Sequence, residues 1–477
     1  MRSLLVYLRA YSQRKHVRPW ALSPPIIVLM ICLPLLRPLR YPLPSQMSDD
    51  EASRWGTVMA LVERQTFAID QTPFAETKQK IQVGDAFYSD QPPVMGLLLS
   101  GPYWVIRRCG FTFSNNPALV EYLLTLVAVT LPTAAAAGML YRMSRIFELS
   151  RPWRAGLATA VVLGSGLISY ATVLNPYAPA AALVLLSAAI LVQVSLVNTP
   201  LRSGGYLVFA GLFACLAAAI DPAAIVFTIL FIGVIMAMRW RLSLRIGGVL
   251  MYAIGMLPPA LLHVSLSVPI TGDWRLGLTQ VPVQAAMVEP IVHTPPQSSV
   301  ADKTPDTDDD ITTAPPTVWQ KMGVFLGHLS GAFLGSHGLL THFPVLLVGF
   351  AGVGIVMHRH WPPTTKTLAI MSTSGMIIIV LRYVWLIADW RMAMFAVRWY
   401  VVFLPLTLFW AGAWVRRRHH PAVWATAAAL LLFSILVSIL GATDPMPKDG
   451  YERYTPVAAL SRLTNADTAA TTVLAGG

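Results

Sequence analysis

The chain has 477 residues, 55% of them hydrophobic and only 12% charged, about half the charge of an ordinary soluble domain. Its formal net charge of +12 would suit a nucleic-acid binder, but the basic residues fall in short loops between apolar runs, where they set membrane topology instead. Cys32, Cys109 and Cys215 stand at no disulfide or zinc spacing, which argues against both.

A basic arm, residues 1–19, carries Arg2, Arg9, Arg14, Lys15 and Arg18. The first apolar run, 20–36, is followed by Arg37, Arg40 and prolines rather than a small-residue cleavage site, so it reads as an uncleaved first span. Further runs follow at 117–141, 155–173, 177–195, 205–220, 222–238, 246–267, 337–357, 367–388, 398–415 and 421–441. Each is close to the roughly 20 residues a helix needs to cross a bilayer. The expected fold is all-α and polytopic, with about eleven membrane helices between residues 20 and 441.

The apolar stretch 92–106 decides the sidedness. If it lies on the membrane surface without crossing, 18 of the 35 basic residues, against one acid, Glu148, fall in the N-terminal arm and the short loops on one side. The positive-inside rule makes that side the cytoplasm. The opposite face then holds a long first loop, 37–116, with surface helices, a second, 268–336, and the tail 442–477. The second loop includes a Pro/Ser/Thr/Asp-rich run at 293–317, whose composition suits a solvated segment. A bacterial inner membrane protein with a cytoplasmic N-terminus and an outer C-terminus is the expectation.

Two elements of the first loop carry chemistry. Ser48-Asp49-Asp50-Glu51 opens an amphipathic helix with Trp55, Met59 and Val62 on one face, and Ser48 with Glu51 forms a capping-box pattern. Acids in a first turn also favour the helix dipole, so capping alone accounts for them, and spacing alone favours that reading; the functional reading is a carboxylate held at the membrane surface as a general base. As a surface carboxylate, Asp50 would cost about 1 kcal/mol or less to remove. The second element is Tyr88-Ser89-Asp90-Gln91-Pro92-Pro93 at a helix start. Asp90 there is either a cap or an oxygen ligand for a hard divalent cation.

Together these elements resemble the C-type (GT-C) glycosyltransferases, in particular the group of protein O-mannosyltransferases and lipid A aminoarabinose transferases. The resemblance covers residues 20–200 and, more loosely, extends to 415. It implies a polyprenyl-phosphate-linked sugar as donor and an acceptor of unknown kind on the outer face. It matches Asp50 to the catalytic acid, Glu51 to its partner and Asp90 to the acid before Pro-Pro, a site for a divalent cation. Arg54, Tyr88, Gln91 and Asn175 then fall among substrate-binding positions. Two positions depart from the pattern: Gln91 stands where the family has Lys, and Asn175-Pro176 where it often has Asp-Pro.

Arg382, Arg391 and Arg398 lie in or beside late apolar runs, suited either to a lipid phosphate or to snorkelling at an aromatic belt. His337 and His342 read as structural more readily than as cavity-lining, and Asp221-Pro222 reads as a hairpin turn. No Gly-rich phosphate loop is present, so no nucleotide cofactor is expected, nor a nucleic-acid partner. The enzyme reading leads. A non-catalytic lipid-glycan binder or scaffold of the same fold is the alternative, favoured by Gln91 and Asn175. A transporter is a third, disfavoured by the absence of internal repeats.

Overall fold

The computed structural model describes residues 18–39, 47–197, 200–274, 318–386, 394–417, 419–448, 451 and 454–462. The helices used below are α1 (Arg18–Leu35), α2 (Asp49–Arg64), α3 (Pro93–Arg108), α4 (Pro117–Phe147), α5 (Arg151–Gly164), α6 (Tyr177–Val197), α7 (Pro200–Ile220), α8 (Ile225–Met236), α9 (Leu242–Thr271), α10 (Val318–Leu334), α11 (Leu346–His358), α12 (Pro363–Leu386), α13 (Leu404–Phe409), α14 (Ala411–Val415) and α15 (Pro421–Gly441).

The protein is an integral membrane protein, and several of its apolar runs are not single long helices. Among the described residues, seven helices are long and apolar enough to cross a bilayer, or eight if the pair Met322–His342 and Leu346–His358, bent by 92°, is one span. The run 155–173 is helical only to Gly164 in α5, and the chain then turns through Gly166 at φ +77°. A Cβ on Gly166 would sit 2.4 Å from the Phe343 ring, so the turn is fixed by both backbone and packing. The run 337–357 breaks at Phe343-Pro344, and 398–415 restarts at Pro405 in α13, because proline lacks the N–H that would continue each helix. The run 222–238 forms only a short apolar helix, Pro222–Met236.

The first loop is not purely helical. Strands β1 (Lys80–Val83) and β2 (Ala86–Ser89) pair antiparallel, Lys80 opposite Ser89, across a two-residue turn at Gly84-Asp85 with Gly84 at φ +62°. This is a hairpin signal that helix periodicity hides. Helix enters the region of the second loop from both sides: α9 runs on to Thr271 and α10 begins at Val318. The Pro-rich run 293–317 lies outside the described residues.

The amphipathic expectation for α2 is also incomplete, because Asp50, Glu51 and every residue from Ser53 to Ala60 are buried. An aromatic cluster underlies it. Phe113 packs against Trp55, Phe74 and Tyr103 with ring centroids 5.5, 5.6 and 4.9 Å apart. α3 packs on α2 and is too short to be a candidate span.

Several turns meet at one end of the bundle. Tyr170 donates to the Phe395 carbonyl at 2.6 Å, Ser169 to that of Ser438 at 2.8 Å and Thr172 to that of Ala442 at 2.8 Å. The Arg37 amide donates to the Thr172 carbonyl at 3.2 Å, which brings the end of α1 to the same place.

Candidate functional site

Asp50 leaves the first turn of α2 buried, 5% exposed, and paired with Arg398 of the Arg398–Tyr400 turn. Residues 348 apart in sequence thus form one ion pair. Burial alone would raise the Asp50 carboxyl, but the charges of Arg398 and Arg54 outweigh it and hold it below its ordinary value.

Arg54, one turn on, donates to the Asp50 carbonyl at 2.9 Å and to the Gln91 side-chain oxygen at 2.6 Å. The Gln91 amide in turn donates to Asp90 at 2.7 Å. The hairpin delivers this pair: Ser53 and Ser89 hydroxyls meet at 2.6 Å, docking β2 on α2 just before Asp90. Arg54 therefore places a positive charge beside the neutral residue at position 91. A lysine at 91 would face that guanidinium, a physical reason for an amide there. Arg54, Tyr88 and Gln91 line one narrow cleft, together with Thr57 and Ile270.

Asp90 is pushed up to about 7, by burial and then by the negative charge of Asp50, against the opposing pull of the Gln91 hydrogen bond and the two arginines. The sign for stability follows. A raised carboxyl favours the protonated folded form, so this stabilisation is complete below the unfolded value of about 4 and lost as pH rises through about 7. Melting temperatures measured from pH 5 to 8.5 should fall more steeply in the parent than in Asp90→Asn. Equal slopes would place the titration elsewhere.

Asp221 joins this site, although its Asp-Pro sequence reads as a plain turn. One oxygen caps the short helix at Pro222 by accepting from the Ala223 amide at 3.1 Å, while Oδ2 is buried with no partner. Burial pushes its carboxyl up to about 6, against the cap and the nearby charges of Arg54 and Arg382. Arg382, half-buried in α12, is thus one of the charges felt by Asp221. No motif spacing marks Asp221; only the fold places it here.

The remaining expected residues divide. Glu51 faces a separate partner, Arg37 at the end of α1, and completes the capping box by accepting from the Ser48 amide at 3.3 Å. Asn175 is fully buried, and its side chain serves the backbone: the amide donates to the Tyr170 and Val173 carbonyls and the oxygen accepts from Ala178 at 3.0 Å, capping α6. His342 bridges the Gly338 carbonyl and the Thr455 hydroxyl. Arg391 lies outside the described residues. Among the described residues no group of three or more His, Cys, Asp or Glu is placed to hold a metal ion.

No family model and no curated protein matches the chain. Among solved structures it is similar to the oligosaccharyltransferase of Archaeoglobus fulgidus in its apo form, with TM-score 0.50 and 12% identity over 90% of this chain and 57% of that one. A second structure of that enzyme, in complex with zinc and sulfate, gives TM-score 0.48 and 11% identity over 91% of this chain and 54% of that one. The chain spans a little over half the length of that enzyme. At such identity the likeness speaks to fold alone: this chain is a helical membrane protein folded like that structure.

Proposed function

We propose that the protein transfers a sugar from a polyprenyl-phosphate carrier to an acceptor on the outer face of the membrane. The observation that supports this most is the meeting of Asp50, Arg398, Arg54, Gln91 and Asp90, drawn from three distant segments, beside the cleft lined by Arg54, Tyr88 and Gln91. A buried, ionised carboxylate flanked by two guanidiniums suits this chemistry. Asp50 would take the proton of the acceptor hydroxyl or amine. Arg54 and Arg398 would neutralise the phosphate as the sugar–phosphate bond breaks. Where a divalent cation shares that work, Asp90 is the ligand to expect, and assays with EDTA and with added magnesium or manganese report on it.

Lipid-linked sugars profiled in a strain lacking the protein, beside the same strain carrying the parent or Asp50→Asn, test this reading. Accumulation of a polyprenyl-phosphate sugar in the deletion and the Asp50→Asn strain, and not with the parent, is expected. An unchanged profile would remove the transferase reading. The non-catalytic alternative draws on Asn175, whose side chain is committed to backbone capping. It predicts that Asp50→Asn keeps the parent's profile while lipid-glycan binding persists.

A further inference from the structure

A second cavity, of about 500 Å3, opens at the other end of the helices. α15 fixes its distance from the Asp50 group. This helix has 21 residues, about 30 Å of rise. Its Gly441 end supplies the carbonyl bonded by Ser169, in the same cluster of turns as Arg398, while near its Pro421 end Trp424 packs on Trp414 with centroids 4.7 Å apart. The cavity lies next to Trp414, walled by His358 at the end of α11, by Arg359, His360 and Trp361 after it, and by Arg416 and Arg417 after α14. Among the described residues no carboxylate lines it.

Its parts are held in place. The Arg416 guanidinium lies 5.3 Å from the Trp361 ring centroid and pairs at the rim with Glu148 at 2.5 Å. Trp361 meets Phe147 edge-on at 6.1 Å. Basic loop residues alone set topology and need no ligand. Here, however, they close a concave space within the usual range for small-ligand pockets. Three guanidiniums come from two separate helix ends, a fork geometry that matches phosphate oxygens. Basic pockets between helices at a membrane surface suit phosphorylated head groups.

We infer that this cavity binds a phosphate group, carried by an anionic lipid or by a soluble phosphate compound, between Arg359 and the Arg416–Arg417 pair. The site is independent of the Asp50 group and of the transferase reading. The full chain in detergent is titrated with phosphatidylglycerol, cardiolipin and phosphatidylcholine, followed by native mass spectrometry. Inorganic phosphate and pyrophosphate are titrated in parallel by calorimetry. Preference for the anionic lipids places the phosphate on a lipid; binding of pyrophosphate with no lipid preference places it on a soluble compound. In either arm, Arg359→Gln/Arg417→Gln should weaken binding about 100-fold or more, since each of the two lost charge-assisted contacts contributes about tenfold, on the order of 1.5 kcal/mol, or more. Arg142→Gln/Arg151→Gln removes two charges near the same end but outside the cavity and should change binding less than about twofold. Arg417→Lys, which keeps the charge without the fork, should fall between and guards against a folding defect in the double variant. Equal losses in the two double variants, or no binding in either arm, would overturn the proposal.

Discussion

Asp50→Asn is expected to lower sugar transfer by about 100-fold to 10,000-fold, the usual loss when a general base is removed. It is also expected to lower stability, against the view of Asp50 as an exposed first-turn carboxylate. The side chain is buried and paired with Arg398. Removing one partner of a buried pair costs about 3–5 kcal/mol, and Asn, which keeps an acceptor for the guanidinium, should fall at the low end. Activity loss alone would therefore not separate chemistry from folding. The double variant Asp50→Asn/Arg398→Gln does. It removes both charges, so melting temperature should recover toward the parent, while transfer per folded molecule stays low. A pair that is only structural predicts that the double variant, once folded, transfers normally. Asp49→Asn is the control. That side chain accepts from the Lys78 amide at 3.2 Å and fixes the loop before β1, so its loss should leave transfer nearly intact. Full activity in Asp50→Asn would end the catalytic assignment.

Features encoded locally were readable from the sequence, and features made by distant contacts were not. The Ser48–Glu51 capping box and the helix start at Pro92-Pro93 are signals within four residues, and both stand in the structure. The Asp50–Arg398 pair depends on how α1, α6 and α15 bring their turns together, which no window of sequence contains. Asn175 looked like a site position because of the proline after it, but that same turn consumes its side chain in capping. Asp221-Pro222 reads as a turn and is one, yet its second oxygen is buried without a partner. The breaks within several apolar runs have a related cause. A hydropathy window measures the side chains and is blind to backbone breaks at Gly166, Pro344 and Pro405, so apolar runs that bend were counted as straight helices.

Arg37→Leu is expected to be the most destabilising single change outside the site, by about 3–5 kcal/mol, because it strands Glu51 as an unpaired buried charge. Glu51 is 0% exposed, and its second oxygen already lacks a partner, as does one oxygen of buried Glu121. Arg37 also joins three parts of the chain: the end of α1, the start of α2 and, through the Met446 carbonyl, the segment after α15. Loosening that joint would shift α2 and with it Asp50, so some activity should be lost through position as well. Arg37→Leu/Glu51→Leu removes both charges and should regain most of the stability, since apolar replacements of a buried pair are often neutral. A deficit of about 1 kcal/mol should remain from the lost capping box. The same variant decides what Glu51 does. If its work is to hold α2 on α1, the double variant keeps transfer per folded molecule within a few-fold of the parent. If it is instead the partner acid implied by the resemblance to GT-C enzymes, the double variant shows the same small stability deficit and yet loses transfer by about 100-fold or more. Melting temperature and transfer, measured on the same preparations, separate the two.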